Sequence, residues 1–175
     1  MLNTGTTDQV RTIVVGVDGS PHSEAALRWA IRLAGCMGSE IVAVNAVPPP
    51  TSAWYGLGYP AAMPPELLEE RELVEADARR HFVEEWCRPL RDSGLHYRTV
   101  QATGRAASLI AAAADDVGAE LVVVGRRGRG GMAELLLGSV SHELILHCAH
   151  PVLVVTGKGA PVAAGAANKT GGTTP

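Results

Sequence analysis

Thr12-Ile13-Val14-Val15-Gly16-Val17-Asp18-Gly19-Ser20-Pro21 joins a strand signal to a helix signal with almost nothing between them. Its apolar half is β-branched and unbroken by charge, as in a strand covered on both faces. Ser20 can cap a helix, and Pro21 at the first helical position loses nothing by lacking an N–H. The helix that follows puts Leu27, Ala30, Ile31 and Ala34 on one face and should stop near Gly35 and Gly38. A second strand, Ile41 to Val47, completes a strand–helix–strand unit.

The same alternation recurs along the rest of the chain. Glu66 to Ser93 is dense in charge and reads as one long helix, with Leu67, Val74, Ala78, Phe82 and Leu90 on its buried side. Tyr97 to Ala102 reads as a third strand, Ser108 to Val117 as a helix closed near Gly118, and Leu121 to Val124 as a fourth strand. Residues 139–148 form a further helix and Val152 to Val155 a fifth strand. The expected fold class is therefore α/β: a single, doubly wound, Rossmann-like parallel sheet of five strands with helices on both faces and right-handed crossovers. Ligands of such sheets sit beyond the carboxyl ends of the strands, where the strand order reverses. Asp18 and Gly125 each follow directly on a strand and would line one crevice if the first and fourth strands are neighbours.

Two stretches stand apart. Pro48 to Pro65 holds six prolines with Trp54, Tyr55 and Tyr59, a long connection of the kind found in lids, contact surfaces and plain surface loops. From residue 157 the chain is Gly, Ala, Thr and Pro with little apolar bulk, as in a disordered tail. The expected organisation is a flexible N-terminus (1–9), one domain (10–156) and that tail (157–175).

Composition narrows the function classes. With 175 residues and 46% apolar content the chain can build a core without disulfides or metal. No apolar run approaches the roughly 18 residues of a membrane span. Met1 to Gln9 lacks an apolar signal core, which points to a cytoplasmic protein. A net charge of −3 argues against general nucleic-acid binding. Cys36, Cys87 and Cys148 are far apart and odd in number, as reduced packing thiols would be.

The segment richest in chemistry is Gly125-Arg126-Arg127-Gly128-Arg129-Gly130-Gly131, followed after Leu137 by Gly138-Ser139-Val140-Ser141. Glycines let a backbone come close to a ligand, and Ser139 and Ser141 stand where a helix begins. Free N–H groups and the helix dipole make that place an anion site, suited to phosphate, and each of the three arginines could pair one. The plain alternative is a turn with a capped helix. No glycine is followed by Lys-Ser or Lys-Thr, so this is not a Walker loop. Gly128-Arg129-Gly130-Gly131-Met132-Ala133 matches a dinucleotide fingerprint, but it follows the fourth strand and lacks the acidic residue about 20 positions on.

Gly125-x2-Gly128-x9-Gly138-Ser139 has the nucleotide-binding spacing of the universal stress protein family, and the chain resembles that family elsewhere too. Ile13 to Ser20, Leu121 to Gly125 and Pro151 to Val155 are similar to its members, so the likeness spans residues 10–156. The resemblance implies a sheet of the adenine nucleotide alpha hydrolase-like kind and a homodimer through the last strand. It implies ATP, held with Mg2+, as cofactor. Gly16, Val17 and Asp18 would lie beside the adenosine, and Val44 would face adenine. Gly125, Arg126, Gly128 and Gly138 would shape the phosphate loop, and Ser139, Val140 and Ser141 would bind phosphate and ribose. Asp18 would accept a ribose hydroxyl or support Mg2+; its plain alternative is a turn aspartate.

His142, His147, His150 and Cys148 crowd one region, but positions five apart on an α-helix do not share a face, and no metal-site spacing is recognisable. No order of Ser, His and Asp suggests hydrolysis, and His22 and Ser23 read as an exposed helix start. The functional expectation is a nucleotide-dependent regulatory protein of the stress response. Its rivals are a cyclic-AMP binder and a slow ATPase or self-phosphorylating protein.

Overall fold

The computed structural model describes residues 12–48, 65–129 and 136–156, with the backbone alone for 65–71 and 74. Strand β1 (Thr12–Gly16) leads to helix α1 (Pro21–Met37), strand β2 (Glu40–Val47) and helix α2 (Pro65–Arg80). A π-helical segment (His81–Trp86), helix α3 (Arg88–Ser93), strand β3 (Tyr97–Thr103) and helix α4 (Ala106–Val117) follow, then strand β4 (Leu121–Gly125), helix α5 (Ser139–His147) and strand β5 (Val152–Val155). The five strands form one parallel sheet in the order β3-β2-β1-β4-β5. β1 and β4 are neighbours, as the crevice expected at Asp18 and Gly125 requires, and the chain reverses its direction of travel across the sheet between them.

Strand alternation divides the core. Ile13, Val15, Val17, Ile41, Ala43 and Val123 meet Leu27, Ala30 and Ala34 of α1 and Phe82, Cys87 and Leu90 beyond α2. Val14, Val42, Val44, Val122 and Val124 meet Ala107, Ile110 and Ala114 of α4 and Leu144 of α5 on the other face. Central strands with apolar residues at every position bury both faces, which is why β1 reads as an unbroken run. Each fully buried aliphatic side chain contributes about 1.5–3 kcal/mol, so Ile13, Val14 and Val15 anchor β1 firmly beneath the site.

The start of α1 is built as its sequence dictates. The Ser20 hydroxyl accepts the Ser23 N–H at 3.2 Å, and Pro21 occupies the first turn. Gly38, left-handed at φ 69°, ends the helix with its N–H on the Ala34 carbonyl, so Gly35 is carried inside.

The one long helix expected over Glu66 to Ser93 is broken in two. Pro89 has no N–H for the Glu85 carbonyl, and its ring crowds that turn, so the α-helical ladder cannot continue through it. The π-helical segment instead pairs Cys87 N–H with the Phe82 carbonyl at 3.0 Å. In that winding positions five apart share a face, and Phe82 and Cys87 are both buried. Burial pushes the Cys87 thiol up to about 12. The expected buried positions Leu67 and Val74 fall outside the described side chains. The expected flexible N-terminus, the stretch between Pro48 and Pro65, and the tail from 157 lie outside the described residues.

Candidate functional site

The turn after β1 is held from beneath. Val17 donates its N–H to the Val44 carbonyl at 2.8 Å, and its own carbonyl accepts Asn45 Nδ2 at 2.7 Å. Gln101 Nε2 holds the other side of that amide at 2.9 Å. Asn45 is buried, so this polar chain carries the β1–β2 pairing one residue past Gly16 and fixes where Asp18 emerges. Asp18 Oδ1 accepts the Ser20 N–H at 2.9 Å and Oδ2 accepts the Arg129 N–H at 3.1 Å. Burial alone would raise the Asp18 carboxyl, but donors from Ser20, Ser23 and Arg129 outweigh it and hold it below the ordinary carboxylate value. The group is a carboxylate at neutral pH.

The turn after β4 closes on its own backbone. Arg126 donates its N–H to Val155 of β5 at 2.9 Å. Its carbonyl accepts the Gly138 N–H at 2.8 Å and the Ser141 hydroxyl at 2.9 Å. The loop's two ends are thus pinned together at the start of α5. Gly138 stands at the N-cap of that helix, and no side chain caps it. Its φ of −76° suits any residue; what it lacks is room, because a Cβ would sit 3.2 Å from the Arg126 carbonyl oxygen. Ser139 is exposed in the first turn, whereas Ser141 is buried with its hydroxyl also against the Gly138 carbonyl at 3.0 Å. Val140 is half-buried and packs against the α4 side of the core.

Gly125 and Gly128 serve different neighbours. A Cβ on Gly125 would lie 2.6 Å from the His22 carbonyl carbon, so this glycine lets the first turn of α1 rest on β4. A Cβ on Gly128 would lie 2.5 Å from Asp18 Oδ2, so this glycine lets the loop rest on the carboxylate. Asp18, Gly128, Gly138, Ser139 and the Arg126 backbone therefore meet beyond the carboxyl ends of β1 and β4. Gly16, buried against Ile110 of α4, and Val17 lie beneath them. Val44 does not reach the mouth. It is buried inside the sheet with its carbonyl already paired, and the half-buried Ala46 and Val47 form the open end of β2.

A concavity of about 180 Å³ opens beside Asp18, between α1 and the π-helical segment, lined by Val17, Gly19, Ser23, Trp86 and Pro89 with two glutamates. Trp86 lies close over Gly19, whose φ is 76°; a Cβ there would stand 2.5 Å from the indole. The Arg129 guanidinium covers the Trp86 ring at 4.1 Å from its centroid. Asn45 and Trp86 escaped the sequence reading. An asparagine inside an apolar run was a legible signal; a tryptophan 67 positions from Gly19 was not. Of the histidines near the C-terminus, His150 bonds Asp115 at 2.7 Å. Among the described residues no three metal-ligating side chains converge.

The chain matches the Universal stress protein family over residues 9–156. It belongs to that family. A universal stress protein of Mycolicibacterium smegmatis is 36% identical over 148 residues, covering 83% of this chain and 48% of the relative. The universal stress protein YxiE of Bacillus subtilis is 33% identical over 148 residues, covering 82% of this chain and 97% of the relative. The chain thus spans about half the length of the mycobacterial relatives it matches and nearly all of the Bacillus one. Among solved structures, the universal stress protein UspA from Lactobacillus plantarum aligns with a TM-score of 0.68 at 20% identity, covering 85% of this chain and 99% of that one. A universal stress protein in complex with cAMP aligns at 0.61 and 23% identity, covering 85% and 98%. An Arabidopsis thaliana family protein with AMP bound aligns at 0.58 and 16% identity, covering 83% and 90%. At these identities the likeness to the solved structures is one of fold, and it places this chain's sheet among theirs. No helix among the described residues is long and apolar enough to cross a membrane.

Proposed function

We propose that this chain binds an adenine nucleotide, ATP together with Mg2+, beyond the ends of β1 and β4, and that occupancy regulates what the protein does in the cytoplasm under stress. The observation that carries this reading is the meeting of an ionised Asp18 with a glycine loop that runs into the uncapped first turn of α5. The residues fit such a ligand. The N-terminus of α5 favours negative charge, and no side chain occupies its cap. Arg126 carries a buried Nε without a hydrogen-bond partner among the described residues.

Charge orients the ligand. Asp18 repels phosphate and attracts hydroxyl donors, so the sugar belongs at Asp18 and the phosphates at Gly138, Ser139 and the first turn of α5. A carboxylate has about four lone-pair sites, so an Asp18 that holds two backbone N–H groups can also accept from a ribose hydroxyl. Mg2+, when bound, would neutralise phosphate charge beside that carboxylate. Gly16 and Val17 floor the site, Val44 supports its β2 wall from beneath, and Val140 and Ser141 set α5 in place. The carboxylate anchors two backbone N–H groups, a holding role rather than that of a base, so we read the activity as binding with very slow turnover. Neighbours in the fold solved with cAMP and with AMP support adenine as the base and make cyclic AMP the second reading.

Among the described residues β5 is an edge strand, with β4 on one side only, and Ile145 and Leu146 stand exposed on the adjoining α5. Unpaired strand edges invite pairing, so we assign this edge to a homodimer. The test of the main reading is titration calorimetry of the purified chain with ATP and Mg2+, AMP and cyclic AMP. ATP should bind tighter than cyclic AMP. No measurable binding of any of the three refutes the reading.

A further inference from the structure

Arg129 is held at its two ends by different partners. Its backbone N–H sits on the Asp18 carboxylate at 3.1 Å, which fixes its Cα at the mouth of the site. Its guanidinium lies over Trp86, 4.1 Å from the ring centroid, with Nη2 against Gly19. Arg129 is exposed and Trp86 half-buried, so the guanidinium is the movable member of the pair. Among the described residues no carboxylate is bonded to that guanidinium: Asp18 takes the backbone N–H, Glu24 is paired with Arg28 and Glu85 with His81. An exposed cation on an aromatic face is a weak seat, whereas a guanidinium–phosphate pair is charge-assisted and bidentate. Arg129 is tethered beside that carboxylate, one residue past Gly128 of the glycine spacing.

We infer that Arg129 is the residue that reads the outer phosphates of the nucleotide, and that Trp86 is the competing seat from which they draw it. The inference rests on the adenine-nucleotide reading above and adds a basis for preferring ATP to a monophosphate. Adenosine with its sugar at Asp18 and a single phosphate at the start of α5 leaves the cation–π contact standing. Only a longer phosphate chain offers the guanidinium a better partner. The exchange uncovers the Trp86 ring beside the concavity between α1 and the π-helical segment, so phosphate-chain length is written onto the surface on that side of the fold.

The experiment measures ATP–Mg2+ and AMP binding by calorimetry in wild type, Arg129→Gln and Trp86→Leu, each checked for folding by circular dichroism. Tryptophan emission is recorded in the same titrations. Arg129→Gln should weaken ATP about tenfold and AMP less than twofold. Trp86→Leu, which removes the competing seat, should tighten ATP about two- to fivefold. ATP should change the emission of wild type, and that change should be absent in Arg129→Gln and should not be produced by AMP. Trp86→Phe keeps an aromatic face and serves if the leucine variant does not fold. Wild type that binds neither nucleotide removes the underlying reading and this inference with it. Wild type that prefers ATP, beside an Arg129→Gln that binds both nucleotides unchanged or loses both equally, overturns the role of Arg129 alone.

Discussion

Replacing Gly125 with alanine puts a methyl carbon where α1 already has backbone. The new Cβ would lie 2.6 Å from the His22 carbonyl carbon, 2.7 Å from its oxygen and 2.8 Å from the Ser23 nitrogen. Ordinary contact begins at 3.4 Å, so α1 or β4 must shift by more than half an ångström. Neither yields easily. The first turn of α1 is tied by the Ser20 cap, and β4 is clamped between β1 and β5. Overpacking a close-fitted site costs about 1–3 kcal/mol, and obstacles made of backbone put this case in the upper half. A loss of about 2–3 kcal/mol lowers Tm by roughly 5–10 °C in a domain of this size. Gly35→Ala is the internal control. It lies within α1 with nothing inside 4 Å of a new Cβ, and alanine there should add about 0.5–1 kcal/mol. Thermal and urea unfolding followed by circular dichroism reads both. Gly125→Ala with the Tm of wild type would show that α1 does not rest on this glycine, and Gly125 would return to the ligand side of the loop.

Gly128→Ala should instead act on the site: its Cβ meets the Asp18 carboxylate, so ATP affinity in calorimetry should fall several-fold while Tm stays within a few degrees, and an unchanged affinity would separate Gly128 from the site. The Asp18 carboxyl is held below its ordinary value of 3.8, so its charged form stabilises the fold above that pH and the contribution is lost as pH falls through the lower folded value. Asp18→Asn should therefore lose less stability than wild type on acidification below 3.8, and parallel urea midpoints across that range would contradict the hydrogen bonds drawn to Asp18. Asn45→Ala strands the buried Val17 carbonyl and should cost about 1–3 kcal/mol in urea unfolding, with Gln101→Ala costing less; a neutral Asn45→Ala would mean the β1 extension is held without it. Val154→Glu on the edge strand should shift sedimentation towards monomer; a monomeric wild type at micromolar concentration would remove β5 as an interface.

Much of the fold could be read because periodicity and punctuation agreed. β1, β2 and β4 are apolar on both faces and read as buried strands without any knowledge of their partners. Ser20, Pro21 and Gly38 mark the ends of α1 by local chemistry, and each acts as its residue type dictates. The break between α2 and α3 was missed because charge density masked the one local cue, Pro89. The winding that results depends on Phe82 and Cys87 finding the same core, a demand set by the sheet and not by the helix.

The site divides in the same way. Spacing alone picks out Gly125, Gly128 and Gly138, but it assigns them one task, whereas the structure gives each a different neighbour: the start of α1, the Asp18 carboxylate and the Arg126 carbonyl. A motif records where side chains are excluded and says nothing of what excludes them. Only Gly128 faces the carboxylate, and Gly138 opens the helix that would take phosphate, while Gly125 spends its missing side chain on packing. The glycine spacing is thus a mixed signal of folding and binding. Substitutions across it should separate into those that move Tm and those that move nucleotide affinity, with Gly125 and Gly128 at the two extremes. A series in which all three glycines lose affinity in proportion to lost stability would show that the loop acts through the fold alone, and the anion site would then have to be sought outside it.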